Sequence, residues 1–526
     1  MLCSALVLQI MNGMFPCNIT FHGSRTNFNE LNDDLRKRIW SQLFTVLSDD
    51  EYDSLHAMTL AALRILSRDK TNIDELVTEE RSGLLLKFAD LINVTNNQHI
   101  PSSMVEALKL LCNLIYNSKQ VRTFIIQTSC LSHAIQRISK HRNELTHEGI
   151  LFHLRLLFLV TALCINTRNI VKNELNGDVH LIEILADIAR KYKTTTEPIL
   201  KKEDVSVACE VLKVLFNLCI GTIDEQTETE KYKKLVSILR QLLFHETVAN
   251  ENEMKSHVIN LLTAVPTTSY SSLIPPVQSD NGDQIVYRDK NMTAVSVMLA
   301  FLNQRLGSEA DLTENISPVL TVLIRLSKAE SLARKYIRLQ ILPPLKDVMK
   351  RPEEGTTIRA RMCQQLTSPH TDLRDLVAEL IFVLCKENVG RMVKYTGYGN
   401  AAGMFANKGL LGGRQSKTNY SSESEDSETD EYIKYKERIN PITGCYESPK
   451  PSPMEGMSEE RKEYEALQLA QLMDKLTREG IVQPCRIGED GRPKPIEHVL
   501  ELQTTLQIKQ LAGNKKYNSF ENHMKC

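Results

Sequence analysis

A short apolar helical phrase keeps returning along this chain, and that recurrence limits the possible folds more than any other feature. Its clearest copy is Leu108–Ser118, LKLLCNLIYNS. Leu108, Leu111 and Leu114, with Cys112 and Ile115, recur at the three- and four-residue steps of one helix face, while Lys109 and Asn113 sit four apart on another. Related phrases begin at Leu63, Leu154, Leu212, Ile259, Leu320 and Ala378. The successive steps are about 45, 46, 58, 47, 61 and 58 residues, close to the period of armadillo or HEAT units, with insertions in the longer ones. A helix whose apolar face repeats at that period can bury it only against its neighbours. The expected fold is therefore all-α, an armadillo/HEAT-like right-handed α-solenoid.

The 526 residues need not divide into separate cores, because a solenoid grows by adding repeats. A hydrophobic content of 42% with 25% charged residues supplies enough apolar surface for one long domain. The net charge of −1 argues against a nucleic-acid partner held by bulk charge, so any partner must be recognised locally. No apolar run reaches the length of a membrane span, so no integral membrane segment is expected. The 12 cysteines are scattered, several within apolar helix patterns, with no CxxC pair. They read as reduced core thiols of a cytoplasmic protein, with neither metal nor cofactor expected.

Residues 1–26 form an apolar N-terminal segment without a positive start, and residues 27–400 carry the helical pattern. Sustained alternation is absent, so essentially no sheet is expected. Polar stretches at Lys191–Asp204, Asp224–Lys231 and Thr267–Lys290 read as surface loops between units, and Arg351–Gly355 as a turn. Residues 401–457 read as a linker, first glycine-rich and then, over Ser421–Glu431, acidic and serine-rich. Residues 458–480 read as an amphipathic helix capped by Ser458 and stopped by Gly480, with Ala466, Leu469, Ala470, Met473 and Leu476 on its apolar stripe. Such a helix docks either on its own solenoid or on a partner. Residues 481–526 read as a mostly disordered tail.

Catalytic patterns are missing. Gly397-Tyr-Gly399-Asn-Ala-Ala-Gly403 lacks the preceding strand, the third-glycine spacing and the acidic residue of a dinucleotide site, and reads better as a tight turn. The 13 histidines are dispersed, without HExxH, and there is no GxSxG. The polar positions of the repeated helix say more. Its second position holds Arg64, Lys109, Arg155 and Lys213 in four successive units, then Asn260, Thr321 and Glu379. Four residues on, the same face carries Arg68, Asn113 and Asn217, with Leu159 breaking the row. Stacked units would turn these positions into a ladder along one surface. Asn amides can grip a peptide backbone and Arg forks a carboxylate, so a peptide with a terminal carboxylate or acidic side chains fits; the plain alternative is a solvated helix face.

These phrases, with Leu342-Pro-Pro-Leu-Lys-Asp347, Lys394-Tyr-Thr-Gly-Tyr-Gly-Asn-Ala-Ala-Gly403, the acidic serine segment, Asn440-Pro-Ile-Thr-Gly444 and Pro453-Met-Glu-Gly-Met457, resemble the synembryn family over about residues 28–483. The resemblance implies an armadillo-like cytoplasmic protein that acts on heterotrimeric G-protein α subunits. Its expected roles are chaperone of the newly made subunit and guanine-nucleotide exchange factor on the GDP form, with a place at the cell cortex through membrane-associated α subunits. It implies that the subunit's C-terminal helix and carboxylate lie in the concave face, where Arg64, Arg68 and Asn113 fall on the holding positions; the ladder adds Lys109, Arg155, Lys213 and Asn217. The helix at 458–477 would reach the nucleotide domain. Ser422 and Ser427 align with phosphorylated positions in a context suited to an acidophilic protein kinase. The rival reading is an armadillo-type peptide-binding scaffold without exchange activity.

Overall fold

The computed structural model describes residues 31–92, 102–140, 142–194, 199–221, 229–245, 251–277, 284–308, 312–411, 429–448, 454–488 and 490–496. The fold is all-α and divides into two compact units, residues 1–275 and 276–526.

In the first unit α1 (Asp33–Leu47) starts where the Asn32 side chain accepts the Leu35 N–H at 2.9 Å, with Asp33 and Asp34 in the positive first turn. Ile39, Trp40, Leu43, Phe44 and Leu47 bury one face of it. The repeated phrases then lie on α2 (Asp53–Leu66), α3 (Ser102–Asn117), α4 (His147–Leu163), α5 (Lys202–Cys219) and, after α6 (Thr229–Phe244), α7 (Glu251–Ala264). Each of α2, α3, α4, α5 and α7 packs against the next, which is the stacking that the period predicted. The motif leucines fill the seams: Leu108, Leu111, Leu154, Leu157 and Leu212 are wholly buried. Leu110 and Leu114 are buried too, because α3 lies between two neighbours and needs apolar residues on both sides. A buried ion pair, Arg36 to Asp69 at 2.8 Å, ties α1 to the turn after α2.

In the second unit the corresponding phrases lie on α8 (Leu312–Ala329) and α9 (Thr371–Leu384), which pack together. They are followed by α10 (Val389–Thr396), α11 (Tyr398–Lys408), α12 (Asp430–Tyr435) and α13 (Glu459–Arg478).

Several segments depart from the expected loops and linker. Thr267–Leu273 is a 3-10 helix packed on α6, and Tyr270 is fully buried with its hydroxyl donating to Leu262 O at 2.8 Å. Its lone aromatic among serines and threonines explains why it reads as a loop. The expected glycine turn is confined to Gly397, at φ +73°; from Tyr398 the chain is helical. Strands occur among the described residues only as two-stranded hairpins: β1 (Val286–Tyr287) with β2 (Lys290–Asn291), β3 (Ile439–Asn440) with β4 (Cys445–Tyr446), and β5 (Cys485–Ile487) with β6 (Pro493–Pro495).

The second hairpin is no free linker. The Tyr398 N–H donates to Pro441 O at 2.8 Å, the Gly399 N–H to Ile442 O at 3.0 Å, and the Tyr446 N–H to Val348 O at 2.7 Å. A Cβ on Gly397 would stand 2.9 Å from Ile442 O, and one on Gly444 2.8 Å from the Pro352 ring, so both glycines are required by close approach as well as by positive φ. The α13 helix begins at the expected cap, with the Ser458 side chain accepting the Arg461 N–H, and ends at Arg478, followed by Glu479 and by Gly480 with φ +71°. It buries none of its side chains, and Tyr464, Leu467, Leu469 and Leu472 are more than half exposed.

Candidate peptide-binding row on the first unit

The four basic positions come together through intervening carboxylates and one aromatic ring. Arg64 Nε donates to Glu106 Oε2 at 2.8 Å, and Lys109 Nζ reaches Glu106 Oε1 at 3.0 Å and Glu148 Oε2 at 3.2 Å. The Phe152 ring lies 5.3 Å from Lys109 Nζ and 5.5 Å from the Arg155 guanidinium, so the two cations share it. Arg155 then grips Glu210 Oε1 through Nη2 at 2.6 Å and Nε at 3.1 Å, and Lys213 meets the same oxygen at 2.8 Å. Lys213 also lies 5.0 Å from the Phe158 ring centre. Arg64, Lys109, Arg155 and Lys213 thus form one continuous half-buried row across α2, α3, α4 and α5.

The row is largely neutralised from within. Burial works to raise the Glu106 carboxyl, but the hydrogen bonds and charges of Arg64 and Lys109 outweigh it and hold the group below its ordinary range. Glu210 is almost wholly buried, and its Oε2 has no hydrogen-bond partner. An incoming carboxylate would therefore meet cations already oriented by internal anions, and would compete for their remaining donors rather than encounter bare positive charge.

The asparagines do something other than expected. Asn113 Nδ2 donates to Arg64 O and to Ser67 Oγ, both at 3.0 Å, and Asn117 Nδ2 to Ser67 O at 2.9 Å. Asn217 Nδ2 donates to Phe158 O at 3.2 Å and Thr161 Oγ1 at 3.1 Å. Each amide clamps its helix to the end of the preceding one, so its N–H donors point into the stack rather than toward a ligand. Arg68 also leaves the expected row. Helix α2 ends at Leu66, and Arg68 lies in the following turn, half-buried. Ser422 and Ser427 lie outside the described residues.

Glu106, Glu210 and Phe152 link the row's cations and lie outside the repeated polar positions. Their signal is local: Glu106 and Glu210 each stand three residues before the motif lysine, and Phe152 three before Arg155, which places each pair on one helix face. For metals, the described residues offer one group, Cys209 on α5 with Glu253 and His257 on α7, whose candidate ligand atoms lie within 4.8 Å of one another. No helix among the described residues is long and apolar enough to cross a membrane.

The sequence profile described as guanine nucleotide exchange factor synembryn matches residues 59–492. The chain is 36% identical to "Chaperone Ric-8" of Drosophila pseudoobscura pseudoobscura, covering 91% of this chain and 92% of that protein. It is 37% identical to "Chaperone Ric-8A" of Xenopus tropicalis (90% and 91% covered) and 34% identical to that of Mus musculus (89% and 90% covered). With the profile matched over residues 59–492 and relatives at 36% and 37% identity covering 90% or more of each chain, this chain belongs to the synembryn family.

Proposed function

We propose that this chain is a guanine-nucleotide exchange factor and folding chaperone for heterotrimeric G-protein α subunits, and that it takes the subunit's C-terminal helix and terminal carboxylate along the row Arg64–Lys109–Arg155–Lys213. The observation that carries the reading is the continuity of that row across four stacked helices in a chain of this family. Arg68, beside the row's start, is a further contact. Asn113 and Asn217 serve as positioning residues that hold the helices bearing the cations. No bond is made or broken in the exchange step. The chain binds the nucleotide-free, loosened subunit more tightly than the GDP form, and this difference in affinity drives GDP out. Chaperoning is the same preference applied to a subunit that has not yet closed on nucleotide.

The exposed apolar stripe of α13 is the second contact, toward the nucleotide domain. The protein acts in the cytoplasm and reaches the cell cortex on its α subunit, and an acidophilic kinase acts at Ser422 and Ser427. A scaffold gripping an extended peptide through an asparagine ladder is disfavoured, because the Asn113 and Asn217 amides already hold the neighbouring helices.

The test is GDP release from a purified, βγ-free α subunit, intact or lacking its last residues. Acceleration is expected with the intact subunit, to be lost with the truncated one and reduced by Arg64→Ala with Arg68→Ala. Unchanged release in the presence of bound protein would remove the exchange role.

A further inference from the structure

Cys209, Glu253 and His257 form a mixed sulfur, oxygen and nitrogen donor set between two helices. Cys209 is buried on α5, while Glu253 and His257 stand four residues apart on the facing side of α7. Their nearest ligand atoms lie within 4.8 Å of one another, and His257 Nε2 is 3.9 Å from a Glu253 carboxylate oxygen. We propose that these three side chains bind one zinc ion, with a fourth position left to water, joining α5 to α7 beside the Lys213 end of the basic row.

Three observations carry the assignment. First, the donor set is chemically selective. A thiolate and an imidazole disfavour magnesium and calcium, which take oxygen ligands, and suit zinc, which is tetrahedral and accepts all three atom types. Second, the geometry needs little adjustment. Ligand atoms around tetrahedral zinc stand about 3.3–3.8 Å apart, given metal–ligand lengths of about 2.0–2.3 Å. Glu253 has a half-exposed side chain and can turn through the remaining distance. Third, the local charge favours a cation. Glu210, adjacent to Cys209, is buried with one unpartnered carboxylate oxygen, and its charge reaches both Cys209 and His257. The charge that opposes binding is Lys213, which also reaches His257, but it already pairs with Glu210 Oε1 at 2.8 Å.

Without metal, burial pushes the Cys209 thiol up to about 12, so it is protonated and inert. Metal binding expels the thiol proton to solvent and leaves a thiolate on the ion. Because Cys209 precedes Glu210 on the same helix, the bound ion would also fix the segment that orients Arg155 and Lys213. The zinc site does not depend on the exchange reading, since its test involves no α subunit.

The experiment uses the full chain stripped of metal and titrated with cobalt(II) as a spectroscopic stand-in, then with zinc. One equivalent of cobalt is expected to give a thiolate-to-cobalt absorption band that zinc abolishes. The band should be lost in Cys209→Ser and kept in Cys485→Ser, whose thiol is exposed on the other unit. Zinc affinity should fall by about a hundredfold or more in His257→Ala. Glu253→Gln and His257→Ala alter only partly exposed side chains, so they keep the question answerable if Cys209→Ser fails to fold. The absence of a thiolate band, its survival in Cys209→Ser, or equal zinc affinity in folded Glu253→Gln and His257→Ala would overturn the assignment.

Discussion

Replacing Glu210 by Gln should weaken the fold and strengthen peptide binding at the same time. The carboxylate is almost wholly buried and takes on one oxygen two charged hydrogen bonds, from Arg155 Nη2 at 2.6 Å and Nε at 3.1 Å, and an ion pair with Lys213 at 2.8 Å. Breaking a fully buried pair from one side costs about 3–5 kcal/mol. Here the Arg155 and Lys213 side chains are 43% and 23% exposed and regain water, and Gln still offers one oxygen. The expected loss is therefore about 2 kcal/mol. A peptide carboxylate then meets two cations without their internal anion. Each such contact is worth at most about 4 kcal/mol at 4 Å near a protein surface, and desolvation and screening reduce the sum to about 1.4 kcal/mol, or tenfold in affinity. Urea unfolding reads the first effect. Fluorescence anisotropy of a labelled peptide ending in the α subunit's free carboxylate reads the second, and the gain should shrink at high salt. A folded Glu210→Gln protein whose peptide affinity is unchanged or weaker would refute the placement of the ligand's carboxylate at Arg155 and Lys213.

Other perturbations separate scaffold from ligand contact. Asn217→Ala removes two interhelical hydrogen bonds and should cost about 2 kcal/mol in urea unfolding while leaving peptide affinity within twofold; a large affinity loss without destabilisation would restore the peptide-gripping role. His153 is buried and neutral, with Nδ1 2.7 Å from Gly149 O and Nε2 unpartnered, and burial lowers its pKa to about 4. The unfolded chain therefore binds the proton first. Its contribution is complete above about pH 6.5 and is lost as pH falls toward 4, by about 3 kcal/mol, so unfolding midpoints measured across that range should slope less in His153→Leu than in the native chain. Gly397→Ala forces a side chain into φ +73° and against Ile442 O. It should cost about 3 kcal/mol, with hydrogen exchange accelerating first at the Tyr398 and Gly399 amides.

The stacked helices are legible because side chains encode them: Leu108, Leu154 and Leu212 each begin a phrase and each end in a seam. Arg64, Lys109, Arg155 and Lys213 are legible as a row for the same reason. The helices that carry Asn113 and Asn217 are legible, but the interhelical partners of their amides are not, since what an amide touches depends on how close the preceding helix end comes. The residue pattern extends the helix to Arg68, whereas it stops at Leu66, where Ser67 Oγ turns back to Arg64 O at 2.8 Å. Cys209 and His257 share no local spacing, and only the packing of α5 on α7 brings them together. The contact at Pro441 and Ile442 is made by main-chain atoms, which leave little trace in a sequence beyond their glycines.

That main-chain contact behaves as an electrically insulated joint. Its hydrogen bonds run from the Tyr398 and Gly399 amides to the carbonyls of Pro441 and Ile442, so no ionisable group takes part in them. Salt, which screens the carboxylates of Glu353 and Glu447 beside the joint, leaves these main-chain donors and acceptors unchanged. Residues 398–399 and 441–442, some forty positions apart, are therefore held together by bonds that carry no net charge.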